Sequence, residues 1–107
     1  GRAYLARAAE NERRDILSRS LELDETAFEA MRTGLAKGLS DYETYGCTTS
    51  FGDWQKDVNG IAVGFMPIGG NQIMLINCGG PSSSVSTAFL LDEVRPRLIE
   101  VARRLES

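Results

Sequence analysis

Histidine is absent from this chain of 107 residues, which removes the commonest general base, nucleophile activator and metal ligand. Cys78 therefore lacks the neighbouring base that nucleophilic catalysis needs, and it reads as a small apolar residue. Cysteine is itself scarce. Cys47 and Cys78 stand far apart and form no metal-type or redox-type pair, as expected in a reducing compartment. Positive charge is not in excess: 12 Lys and Arg against 15 Asp and Glu give a net charge of -3. A nucleic-acid surface needs a basic face to displace phosphate counterions, and none is evident. Arg13, Arg14, Arg103 and Arg104 are interleaved with acids and read as solvated helix surface. No apolar run approaches the roughly 20 residues of a membrane-spanning helix. With no charged-then-apolar leader either, a soluble cytoplasmic protein is expected. Repeats and low-complexity linkers are also missing, and Ser82 to Ser84 reads as a loop. Asp53 and Asp57 form a carboxylate pair that nothing marks as desolvated, so no enzymatic activity is expected, and neither a metal nor a cofactor.

What is present suits one domain. A chain of this length with 42% hydrophobic residues can bury one modest core and is too short for two. Arg2 to Ala9 reads as an alanine-rich helix, and Asn11 as the cap of a second short helix reaching Arg19. Phe28, Met31, Leu35, Leu39 and Tyr42 recur at spacings of three and four and predict a third, longer helix. Asp24 can cap its start, or Thr26 with Glu29 as a capping box, and Gly46 can end it. The period then changes. Cys47 to Phe51 suits a short strand, Gly52 to Asn59 a polar loop, and Asn59-Gly60 a turn. Two apolar runs, Ile61 to Ile68 and Gln72 to Cys78, are separated by Gly69-Gly70 and predict an antiparallel hairpin. Thr87 to Leu105 places Leu91, Val94, Leu98, Val101 and Leu105 on one stripe, predicting an amphipathic helix with a kink or break near Arg95, before Pro96.

Two stretches carry more than secondary structure: FGDWQKDVNGIAVG at Phe51 to Gly64, and NCGGPSSSVS at Asn77 to Ser86. In order and spacing they resemble the effector-binding domain of IclR-family bacterial transcription regulators. A small residue and an acid precede a Gly-Ile/Val-Ala strand, and a second strand ends in a polar pair, then Gly-Pro, serines and a long helix. The opening GRAYLARAAENERRDIL resembles that domain's helix-rich stretch, and Gly46 to Phe51 its turn into a strand. The resemblance implies an α+β, GAF-like fold in partial form, an antiparallel sheet with helices packed on it. It also implies that residues 1–107 are the C-terminal part of the effector domain, opening at Gly1 inside its first helical stretch. The family's winged helix-turn-helix DNA-binding domain would not be present in this chain.

The hairpin register decides which side chains share a face, because a one-residue slip moves every side chain to the other side. A two-residue turn at Gly69-Gly70 sets Asn77 opposite Ala62, beside Gly64. A three-residue turn sets it opposite Val63, with Ile61, Phe65, Leu75 and Gly79 on the same face. The resemblance favours the second and implies a ligand site made by Asp53, Ile61, Val63, Asn77 and Gly79. Many family members carry hydroxyl side chains where this chain has Asn77 and Gly79. Asn77 brings both a donor and an acceptor instead, and Gly79 only its backbone. Amides around Gly79, Gly80 and Ser82 to Ser84 are a candidate anion-binding concavity, with no lysine or arginine evident to pair a carboxylate. Plainer readings stand beside these. Ile61, Val63 and Leu75 are core-type strand residues, Asn77 can serve its own loop, and Asp53 can be a solvated acid. Trp54 can cap the pocket or cover the sheet edge.

The resemblance therefore implies a sensor of a small organic metabolite, with an organic acid favoured. It implies a homo-oligomer, dimer or tetramer, that reaches DNA only through the domain absent here and has no membrane partner. The competing expectation is an oligomerisation module without a ligand, joined through the final helix and exposed sheet edges.

Overall fold

The structure, a computed structural model, describes residues 2–106. Three helices open the chain: α1 (Arg2–Arg7), α2 (Glu10–Leu23) and α3 (Glu25–Tyr45). The break between α1 and α2 is held by Arg13, whose Nε donates to Leu5 O at 2.8 Å and whose Nη2 donates to Ala6 O and Ala8 O at 3.2 and 3.0 Å. Two carbonyls of the last turn of α1, Leu5 and Ala6, and that of Ala8 beyond it are thereby satisfied. Asn11 is not the cap of α2. The helix begins after Ala9 without a side-chain cap, and Asn11 Oδ1 accepts from Glu12 N instead. The cap of α3 is Asp24, which accepts from Thr26 N and Ala27 N at 3.0 and 3.4 Å. Gly46 closes that helix at φ 73°, a left-handed conformation that favours glycine.

The sheet is antiparallel, in the order β1-β2-β3. Its strands are β1 (Thr48–Phe51), β2 (Val58–Phe65) and β3 (Met74–Pro81). Asn59-Gly60 is not a turn. Both residues lie inside β2, paired with Phe51 and Ser50 on one side and with Gly80 and Gly79 on the other. The Asn59 side chain finds its partner in tertiary structure, donating from Nδ2 to Val85 O at 3.0 Å, and tertiary pairing overrides its turn preference. Residues 66–73 join β2 to β3. Within them Gly70 N–H donates to Pro67 O at 3.0 Å and Gly69 takes φ 71°.

The register is the one in which Asn77 stands opposite Ala62, with Val63 opposite Ile76. The register favoured by the family resemblance is therefore corrected by one residue. Ile61 and Val63 project to one face of the sheet, and Asn77 and Gly79 to the other. On the first face lies the core, where Ile61, Val63 and Phe65 meet Cys47, Leu90, Leu98 and Ala102.

That core is closed by one helical run: a short α4 (Thr87–Phe89), a π turn at Leu90–Val94 and α5 (Arg95–Glu106). Pro96 has no amide hydrogen, and the π turn is where the helix accommodates it. Arg95 N–H reaches Leu90 O, five residues back. Arg95 Nε donates to Leu91 O at 2.8 Å, supplying the carbonyl that residue 96 would have served in the same register. The helix is deformed there rather than broken. The wider turn also shifts the phase of the buried stripe. Leu90, Leu98 and Ala102 are buried, whereas Val101 and Leu105, expected on the stripe, are 46% and 44% exposed.

On the opposite face of the sheet α1 sits directly on Gly64. A Cβ built there would lie 2.8 Å from Arg7 Cβ and 3.1 Å from Ala3 O. Ala3, Leu5, Ala8 and Leu35 are buried, so helices cover both faces, but α1 is too short to cover all of this one. No helix among the described residues is long and apolar enough to cross a membrane.

Candidate ligand cleft

Beyond the end of α1, the uncovered face of the sheet presents small residues: Gly60 and Ala62 from β2, opposite Gly79 and Asn77 from β3. Because Gly60, Ala62 and Gly79 leave the space above them unfilled, an open cleft of about 740 Å³ remains there, bordered by Leu75. Thr48 and Ser50 of β1 flank it, as do Arg2 and Ala3 of α1 and the loop residues Asp53 and Trp54. Of the residues expected to bind ligand, Asp53, Asn77 and Gly79 meet here and Val63 does not. Ile61 borders the cleft, yet its side chain is only 2% exposed within the core. By strand alternation it offers the cleft main chain alone. Val63 and Ile61 are core residues first, as their apolar character allowed.

Asn77 is exposed, and its amide makes no side-chain hydrogen bond among the described residues, so donor and acceptor are both available to a solute. Gly79 is required by space rather than by φ. A Cβ there would fall 2.5 Å from Asn59 O and 2.9 Å from Gly60 Cα, atoms of the neighbouring strand. The hydroxyl side chains that the resemblance associates with this position do not fit this backbone.

At the rim, Asp53 belongs to a charged network. Its Oδ2 lies 3.1 Å from Arg2 Nη1 and 3.8 Å from Lys37 Nζ. Lys37 also donates to Asp41 Oδ2 at 3.0 Å and to Thr49 Oγ1 at 2.8 Å. Asp41 Oδ2 in turn accepts from Thr49 N and Thr49 Oγ1 at 2.9 and 2.8 Å, while Thr49 O accepts from Arg2 Nη1 at 3.2 Å. The outer edge of β1 is covered by these side chains and is closed to another strand. Burial would raise the Asp41 carboxyl, but the Thr49 hydroxyl and amide and the Lys37 ammonium outweigh it and hold the group below its ordinary range. Arg2 is the residue that sequence reasoning passed over. The pattern placed it on the first helix, and nothing in its spacing showed that the helix end would return it to the sheet. Trp54 is 75% exposed beside the opening, so it borders the cleft without closing it.

Cys78 faces away from this cleft into the core side, and burial pushes the Cys47 thiol up to about 11 despite the nearby Arg95. Cys47 lacks the open surroundings of a reactive thiol, whereas Cys78 is only partly buried. Among the described residues no group of three or more His, Cys, Asp or Glu is placed to hold a metal.

No protein-family model matches the chain. It is similar to an HTH-type transcriptional regulator, TsaQ1/TsaQ2 of Comamonas testosteroni, with 25% identity over 76 residues, 71% of this chain and 27% of that protein. Among solved structures it is similar to an IclR family transcriptional regulator from Brucella abortus. The identity is 38% and the TM-score 0.83, over 98% of this chain and 40% of that one. The inducer binding domain of the PobR transcription factor from Acinetobacter, a double mutant in complex with 3-hydroxybenzoic acid, shares the fold. Its TM-score is 0.70 at 19% identity, over 99% of this chain and 63% of that one. The chain thus spans less than two thirds of the length of each, and each of these relatives is a transcription regulator or part of one. With the shared α+β fold and 38% identity over 98% of its length, the chain matches part of the effector-binding domain of IclR-family transcriptional regulators.

Proposed function

We propose that the cleft is the effector site of a transcription regulator, taking a small organic acid without catalysing any reaction. The observation that carries this reading is the uncovered patch of Gly60, Ala62, Asn77 and Gly79, a small-residue floor with an unused amide and a charged rim. Asn77 and the Gly79 backbone are the proposed polar contacts, with Asp53 at the rim. The occupancy of a like fold by 3-hydroxybenzoic acid in PobR supports the ligand class. DNA binding belongs to a winged helix-turn-helix domain outside these residues, and the regulator acts in the cytoplasm as a homo-oligomer. An effector changes DNA occupancy only by preferring one arrangement of the regulator over another, since equal affinity for both shifts nothing.

A thermal-shift series with keto and aromatic acids tests the site. A ligand that binds only the folded state raises stability with the logarithm of its concentration. A saturable shift that is lost in Asn77→Ala is expected. An undiminished shift in that variant would remove Asn77 from the site.

A second reading has its own observation. β3 is an edge strand, and beside it an apolar groove of about 460 Å³ is lined by Phe89, Val94, Leu98 and Val101. An open edge next to apolar surface suits association with another chain. A mass that falls in Val101→Glu, together with no response to any acid, would favour a pure interaction module.

A further inference from the structure

We propose that Arg2 pairs the carboxylate of the organic-acid effector, and that Asp53 is the internal carboxylate holding the guanidinium ready until the effector replaces it. The inference rests on the cleft being the effector site, and it reverses the role of Asp53 from ligand contact to placeholder.

Among the described residues, Arg2 is the one cationic side chain that lines the cleft. Its two hydrogen bonds, to Thr49 O and Asp53 Oδ2, both leave from Nη1. Nη2 donates to no atom among the described residues, so half of a planar fork suited to a carboxylate is unused. The bond to Thr49 O fixes the side chain on the outer edge of β1, and the Asp53 bond aims it toward the opening. An ion pair with its side chains 33% and 35% exposed is weak enough for a second carboxylate to exchange into it. The exchange strands no charge. Lys37 already lies 3.8 Å from the same Asp53 oxygen, so the displaced carboxylate keeps a cation within ion-pair distance. Two cations, Arg2 and Lys37, and two anions, Asp41 and Asp53, share this network. An added carboxylate engages both terminal nitrogens of Arg2 only if Asp53 yields its place at Nη1. On this geometry the site selects small monocarboxylates over neutral analogues, and a second carboxylate on the ligand finds no free cation among the cleft residues.

The test uses calorimetric titration of the protein with benzoate and pyruvate, each beside its neutral amide. At least one acid is expected to bind more tightly than its amide. Arg2→Gln should weaken that acid by about 10- to 100-fold, the usual size of a lost hydrogen bond to a charged group, and leave the amide unaffected. Arg2→Lys, which keeps the charge without the fork, should fall between. Asp53→Asn should bind the acid several-fold more tightly, because the competitor is gone. Far-UV circular dichroism confirms that each variant is folded.

If the acid binds, weakens in Asn77→Ala and does not change in Arg2→Gln, Arg2 is not the partner although the cleft is the site. If Asp53→Asn weakens the acid, Asp53 is a ligand contact and the exchange is wrong. If neither acid binds, or Asn77→Ala has no effect on the one that does, the reading of the cleft fails and this inference with it.

Discussion

Gly60 and Gly79 face each other across β2 and β3 on the floor of the cleft, yet alanine should have opposite effects at the two positions. Neither is among the glycines with positive φ, so the backbone admits an L-residue at both and space alone decides. At Gly60 the nearest atom to an added Cβ is Cys78 O at 3.6 Å, an ordinary contact. Gly60→Ala should then be neutral or stabilising by up to about 1 kcal/mol through the reduced freedom of the unfolded chain. At Gly79 the added Cβ would sit 2.5 Å from Asn59 O and 2.9 Å from Gly60 Cα. Both are backbone atoms of a paired strand, which cannot rotate aside as a side chain can. Gly79→Ala should therefore cost about 1–3 kcal/mol, the usual size of overpacking strain. For a domain of this size that lowers the melting temperature by roughly 5–15 °C. Urea titrations of the two variants, fitted with a common m-value, measure the difference directly. Equal stabilities, or a Gly79→Ala protein as stable as the parent, would refute the close approach of β2 and β3 at this point.

Other outcomes follow from the network and the helix junctions. Iodoacetamide at pH 8 should label Cys78 in the native protein but leave Cys47, which is fully buried with its thiol pushed up to about 11, until urea is added; mass spectrometry counts the labels. The Asp41 carboxyl is held below its ordinary range, so the unfolded chain binds the proton more readily and stability falls as pH drops through the folded value. The contribution is complete above the unfolded value near about 4. Asp41→Asn should flatten the acid limb of melting temperature against pH below that point, and an unchanged limb would contradict the Thr49 and Lys37 bonds. Arg95 joins the π turn to the end of α3 through Leu91 O, Tyr45 O at 3.2 Å and the Tyr45 ring at 5.5 Å. Arg95→Ala should cost about 1–3 kcal/mol in a chemical melt, with Arg95→Lys recovering only part.

The elements were legible where local chemistry and tertiary structure agree. Asp24 and Gly46 bound α3 as their side chain and left-handed backbone require, and the two apolar runs form a hairpin. Where they conflict, local signals misled. Asn59-Gly60 has turn chemistry but is drawn into β2 by pairing on both sides and by the bond to Val85 O. A regular helical period predicts Leu105 on the buried stripe, and the π turn before Pro96 shifts the phase so that Ala102 is buried instead. The hairpin register turned on a loop whose length the sequence left open. The resemblance selected the alternative that puts Ile61, Val63 and Asn77 together, and the sheet separates them. Asp53, Asn77 and Gly79 were recognisable as cleft residues because the motif around them is local. Arg2 was not, because its place at the rim depends on α1 docking on Gly64 from the other end of the chain.

Amide and arginine side-chain NMR shifts recorded during titration with benzoate and pyruvate test the effector cleft most directly. Saturable changes at Asp53, Gly60, Asn77, Gly79 and the Arg2 Nε signal are expected for at least one acid, with none at Phe89 or Val101 on the opposite side. Changes confined to Phe89, Val101 and the β3 edge, or no saturable change for either acid, would contradict it.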